Sequence, residues 1–259
     1  MRMMKKVLGT VTVLALSVSL LAGCGSTAVS PVSSTASTAA ESTTSSVVSE
    51  TTSAAADENA AAAAQLLNDL TGSYQELWPV ILADEYQQTW LDDCTALVGE
   101  ENAEAAFEKL SSMVTGDVYG EDAVEAYANG GGAHFCRFFN DLATLTFDGE
   151  TSTISGTDKD GNVLFSHTYH YIGMEPVHGL YEFESDDADS GEFTYFFLAP
   201  DTSAETYHIE FRYGSDAEAL SQYDAGEYAY WVASGISTDC DQTMIDNCIE
   251  LFCTENLAG

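Results

Sequence analysis

The sequence predicts an α+β chain that is mainly β, with a helical cap ahead of an antiparallel barrel or sandwich and one helix after it. Three observations carry this. Helical periodicity between residues 57 and 129 ends at Gly130-Gly131-Gly132, where the backbone loses its side chains and the helix its continuation. Beyond residue 142, short runs of Thr, Ile, Val, Tyr and Phe recur between Asp-Gly turns, which is the pattern of hairpins. Nothing alternates strand and helix as a βαβ repeat would.

Taken in order, Asp57 and Glu58 precede an Ala-rich run ending at Leu70, a helix with acids at its positive N-terminal end. Gly72 and Pro79 punctuate. Helices follow over 80–98, 102–113 and 121–129. A strand over 142–147 turns through Asp148-Gly149 into a strand over 151–155. Asp160-Gly161-Asn162 makes a second turn, followed by strands over 163–172, 179–184, 193–198, 206–213 and 228–232. Residues 243–252 form an amphipathic helix with Ile245, Ile249 and Phe252 on one face.

Ahead of this domain lies a different kind of segment. Arg2, Lys5 and Lys6 precede an apolar run over 7–21, too short to span a bilayer, and the run closes on Leu21-Ala22-Gly23-Cys24. Residues 1–23 are therefore expected to be a signal peptide. Leu-Ala-Gly-Cys resembles a bacterial lipobox, which implies lipidation of Cys24 and a protein anchored on the extracytoplasmic face of the cell membrane. Residues 24–58 are almost wholly Ser, Thr, Ala, Val and Gly, too poor in apolar surface to fold, and are expected to be a flexible stalk. The folding domain is then 59–259.

Charge narrows the function classes. Beyond the signal, Lys109, Arg137, Lys159 and Arg212 stand against 42 acidic residues, leaving −38. No basic patch can be built, so nucleic acid is excluded as a partner, while cations are attracted. The five cysteines past Cys24 include no CxxC pair. Outside the cytoplasm at least one disulfide is expected, with Cys240, Cys248 and Cys253 close enough in sequence to compete. There is no GxSxG, HExxH or P-loop, and the chain reads as non-enzymatic.

Two stretches resemble a known family. LNDLTGSYQELWP over 67–79 is similar to the LSDWxGxWQSVYPYL opening of the ZinT (YodA-like) family, matching at Asp69, Gly72, Gln75 and Pro79. Ala199-Pro200, Ser203-Ala204 and HIEFRYG over 208–214 resemble that family's APEKSAHFHLYWG segment. The likeness extends over most of 66–256 and implies a lipocalin-like, calycin-type antiparallel β-barrel. It also implies extracytoplasmic zinc acquisition, by scavenging or by relay to a metal-uptake transporter. The other expectation is a lipocalin-like module for a small ligand or partner, with a degenerate metal site.

The metal candidates follow from strand alternation. His208, Glu210 and Arg212 share one face of their strand, and an i, i+2 His/Glu pair can converge on zinc or another divalent ion. The same spacing equally fits a polar strand face with Glu210 paired to Arg212. Through Gly214, the resemblance places His208 and Glu210 on the family's HxH ligand pair. The family's third histidine falls on Phe196, three extra residues separate Ala-Pro from His208, and the family's His-rich loop is missing. Aligning from Ala-Pro instead puts Glu205 and Tyr207 on the pair, so Glu205 is a secondary candidate, with His167 and His178. His167 and His170, three apart on a strand, should face opposite sides. His134 reads as a capping or surface group. Asp158-Lys159-Asp160-Gly161 reads as a turn, and the acidic run 184–189 as a solvated hairpin loop.

Overall fold

The computed structural model describes residues 47–200 and 208–258, with side chains from residue 58. Cys24, the signal segment and Glu205 lie outside the described residues. The first helix, α1 (Val47–Asp69), starts ahead of its predicted Asp57 boundary, so its opening turns fall in the stretch expected as stalk. Ala63, Leu66, Leu67 and Leu70 recur at the helical spacing and are buried as one stripe against the sheet.

The chain then enters β1 (Gly72–Glu76), a strand where Gly72 and Pro79 predict only a break between helices. Short helices α2 (Leu77–Ile81), α3 (Gln87–Val98), α4 (Ala103–Val114) and α5 (Glu121–Ala128) follow. The single helix expected over 80–98 is broken by a turn around Asp84–Tyr86. The strands continue as β2 (Thr144–Asp148), β3 (Thr153–Thr157), β4 (Val163–Met174), β5 (Tyr181–Ser185), β6 (Tyr195–Leu198) and β7 (His208–Gly214). After the short helix α6 (Ala217–Leu220) comes β8 (Ala233–Ser237), and α7 (Gln242–Leu257) closes the chain. The strand expected over 228–232 is instead a turn, with Tyr230 at φ +58°, and the strand starts just after it.

Each strand pairs antiparallel with the next, and β1 pairs with both β2 and β8, so the sheet closes into a barrel. This is the antiparallel barrel with helices before and after it that the sequence implied. Register sorts the side chains. Tyr74 opposes Leu145, Phe183 opposes Phe196, Phe196 opposes Tyr213, and Phe211 opposes Ala233, so these share the inner face. They form one core with Phe138, Phe147, Ile154, Phe165 and Tyr169. That core fills the lumen with aromatic rings.

The segment 134–142 is drawn in as part of this packing. Phe138 N donates to Glu76 Oε1 at 2.8 Å, and the Tyr213 hydroxyl donates to Phe139 O at 2.8 Å. Asn140 and Asp141 adopt φ +56° and +61°, a region their short polar side chains tolerate.

The outer face of the barrel carries a second core. Ile236 of β8 joins Leu77, Trp78, Ile81, Trp90, Leu110, Ile245 and Ile249 from the helices. Trp90 Nε1 donates to Ile81 O at 2.7 Å, fixing α3 on α2, and Asp241 caps α7 by accepting from Met244 N at 3.0 Å. The five cysteines Cys94, Cys136, Cys240, Cys248 and Cys253 all stand as free thiols, so the expected disulfide is not formed in this structure. All but Cys240 are buried in the helical core. No helix among the described residues is long and apolar enough to cross a membrane.

Candidate metal centre on the outer face of the barrel

His208 lies opposite Ile236, and Glu210 opposite Ser234. Ile236 belongs to the helical core, so His208 and Glu210 point out of the barrel, towards the helices. Both side chains are half-buried. Their strand neighbours Ile209, Phe211 and Tyr213 turn the other way and pack the lumen.

Glu210 is half-buried, but the thiols that feel its charge are buried. Burial pushes the Cys136 thiol up to about 12, and the Glu210 carboxylate adds to the rise. Cys248 on α7 is likewise pushed up to about 12, first by burial and then by Glu210. The negative charge of Glu210 is therefore felt by two thiols, one on the 134–142 segment and one on α7, and a cation beside it would offset that charge. Beside them the buried Ser234 hydroxyl and Trp78 indole N–H face the Cys136 sulfur, which offers them only a weak acceptor and whose pKa they lower. A cavity of about 220 Å³ opens next to Trp78 and Cys136, lined also by Glu76 and Arg137.

Arg212 shares the His208 face but is not aimed at it as a competing charge. It is 2% exposed, and its guanidinium donates to the carbonyls of Leu220, Gln222 (3.3 Å) and Tyr228 (2.7 Å). It also stacks over Tyr223, 5.6 Å from the ring centroid. Burial lowers its pKa to about 10, while Tyr223 and the nearly inaccessible Glu175 hold it up. Arg212 fastens the 217–230 loop onto the barrel.

The remaining predicted residues lie elsewhere. His167 and His170 do face opposite sides of β4. His167 Nδ1 lies 2.9 Å from Asp187 Oδ2, and His170 Nδ1 lies 2.8 Å from Asp186 Oδ1. They pin the acidic 184–189 hairpin to the strand. His178 sits in the β4–β5 turn with Nδ1 3.4 Å from Glu175 Oε2, its ring 5.2 Å from that of Tyr223. His134, expected as a capping or surface group, is instead half-buried and bonded within the fold. It is hydrogen-bonded to the Tyr223 hydroxyl at 2.8 Å, and burial lowers its pKa. Its ring packs near Tyr127 and Tyr230, which stack at 3.7 Å. No signal in the sequence joins residues 134, 178, 212 and 223.

Phe196, the position of the third family ligand, is wholly buried on the lumen face. His208 and Glu210 are on the other side of the sheet. A three-residue set carried over from the family would straddle the barrel wall and could not meet on one ion. Among the described residues, no three His, Cys, Asp or Glu side chains already stand close enough to hold a metal.

Neither a family model nor a curated protein matches the chain. Among solved structures it is similar to the Zn(II)-bound ZinT-like domain of Streptococcus pneumoniae AdcA. The identity is 16% and the TM-score 0.45, over 71% of this chain and 89% of that one. It is also similar to Zn(II)-bound AdcA of the same organism, at 14% identity and a TM-score of 0.42, over 72% of this chain and 35% of that one. The chain thus spans about a third of the length of AdcA. These likenesses concern the fold, and the reading of the site rests on this chain's own residues.

Proposed function

We propose that this protein is an extracytoplasmic metal-binding lipoprotein, held to the membrane through Cys24, that takes up a divalent cation and passes it to an uptake system. The donor pair is His208 and Glu210, and an imidazole with a carboxylate suits zinc. The observation that carries the reading is their placement on one strand face, half-buried and aimed away from a lumen that is already full. Glu205, in the segment just before β7, is the nearest further carboxylate in sequence.

Two protein donors leave coordination positions to water or to a recipient's side chains. Sites with open positions exchange their ion, whereas closed four-ligand sites retain it. That suits a relay rather than a store. The net charge of the chain raises the local concentration of cations, and the pair gives one of them a preferred seat. A small organic ligand in the lipocalin manner finds no room in the lumen, because Phe147, Phe183, Phe196 and Phe211 occupy it with at most 1% exposure.

Calorimetric titration of the full chain, stripped of metal, should give one saturable zinc event per chain. Its absence, with only a weak non-saturating heat, would reject the reading. Fractionation of Cys24→Ser tests the anchor separately: the variant should leave the membrane, and unchanged membrane association would exclude lipidation as the tether.

A further inference from the structure

Cys94 on α3 and Cys253 on α7 face each other across the helical core, their sulfurs 3.9 Å apart and both residues 0% exposed. A disulfide bond is 2.03–2.05 Å long, so an approach of about 2 Å separates two thiols from one cystine. α3 and α7 are in direct contact along their length, and Phe252 lies edge-on to both Trp78 (4.8 Å) and Trp90 (6.0 Å) beside the pair. These rings hold the two helices in register and keep water from the sulfurs.

We propose that Cys94 and Cys253 are a disulfide site, and that their bond covalently joins the first helical layer to the last helix of the chain. Cys253 therefore takes its partner from the opposite end of the domain and not from Cys240 or Cys248, its neighbours in sequence. Cys248 and Cys253 lie on the same helix, five residues apart, which points them in different directions.

The chemistry is thiol–disulfide exchange with a disulfide-bearing oxidant. The Cys94 thiolate attacks the oxidant's disulfide, forming a mixed disulfide and expelling one thiolate. The Cys253 thiolate then attacks the Cys94 sulfur, forming the internal bond and expelling the second. Two protein thiols are oxidised, one external disulfide is reduced, and the two protons of the protein thiols pass to the two thiolates expelled from the oxidant. Full burial places this step before α7 docks, or during its local opening. Once formed, the bond closes a loop between residues 159 positions apart that contains every barrel strand but β1. A loop of that length strongly restricts the unfolded chain.

The test uses the full chain, refolded with excess oxidised glutathione, alkylated, and digested without reductant. Mass spectrometry should find one internal cross-link, between the peptides bearing Cys94 and Cys253. Linkage of Cys253 to Cys136, Cys240 or Cys248, or a chain in which the five thiols beyond Cys24 all remain alkylatable, would overturn the proposal. A second measurement covers variants that fold poorly. Reductant should lower the melting temperature of the oxidised wild-type chain by roughly 10 °C. It should do the same to Cys136→Ala and Cys248→Ala, and leave the Cys94→Ala/Cys253→Ala variant unmoved. A reductant shift retained in that double variant would also overturn it. Zinc plays no part in either readout, so the outcome is separable from that of the metal-binding proposal.

Discussion

The two cores of this protein are built from different materials for different ends. The lumen of the barrel is packed with rings, Phe165, Phe183, Phe196, Phe211 and Tyr213 among them. The outer core is made by helices laid on the barrel wall, and it mixes aliphatic residues with buried thiols and the half-buried Glu210. Strand β7 serves both, Ile209, Phe211 and Tyr213 inward, His208, Glu210 and Arg212 outward. A barrel fold leads one to look inside for the function. Here the inside is closed, and the chemistry-bearing side chains lie on the wall's outer face.

The sharpest way to break this contrast is to open the lumen. Phe196→Ala removes a ring that is 0% exposed and should cost about 3–5 kcal/mol in urea unfolding. Because Phe196 is across the sheet from the donors, zinc affinity of the folded fraction should be unchanged. Loss of zinc binding in that fraction would put the site in the lumen after all.

Arg212→Ala tests whether the outward basic residue is a fastener. Removing the guanidinium leaves the carbonyls of Leu220, Gln222 and Tyr228 without their donor, a cost of about 3 kcal/mol. Thermal melting should show this loss, and limited proteolysis should cut first within 217–230. Gly149→Ala probes the seat of α1 on the β2–β3 hairpin. An added Cβ would come within 2.4 Å of Asn68 Cα, a backbone clash worth about 1–3 kcal/mol.

The smallest effect is expected from acid. Burial lowers the His134 pKa below its value in the unfolded chain, about 6.5. The unfolded chain therefore takes up this proton first. The contribution is fully present above pH 6.5 and is lost as pH falls towards the folded-state value. His134→Gln should flatten the dependence of stability on pH just below 6.5 relative to wild type. An unchanged profile would show that the imidazole titrates as if exposed.

The sequence made most of the barrel legible and hid its closure. The hairpins at Asp148-Gly149 and Asp160-Gly161 stand out because turn chemistry is local. β1 and β8, which close the ring, are GSYQE and ASGIS, sequences with little strand propensity. They are strands because of what they meet: a Cβ on Gly235 would lie 3.0 Å from Ile209 Cγ1, so the close crossing of β7 and β8 requires a small residue there. Conversely, the β-forming residues of 228–232 are held as a turn by long-range bonds, such as Trp231 Nε1 to Arg137 O at 2.9 Å.

Alternation established that His208, Glu210 and Arg212 share a face, but not which face it was. Nor could it reveal that Arg212 would turn to loop carbonyls. That needed the 217–230 segment, whose position no periodicity encodes. The grouping of Cys240, Cys248 and Cys253 misled for a related reason: nearness in sequence is not nearness of sulfurs, and the sulfur facing Cys253 is that of Cys94, 159 residues away.

The central claim is that a specific seat for zinc exists on the outer face of β7. The most direct test is calorimetric titration of wild type, His208→Ala and Glu210→Gln at low and moderate salt. The account predicts at least a tenfold loss for His208→Ala, about 1.4 kcal/mol, a smaller loss for Glu210→Gln, and a wild-type affinity that survives salt. Zinc affinity that is the same in His208→Ala and collapses in moderate salt would mean diffuse attraction to an acidic surface, and would contradict it.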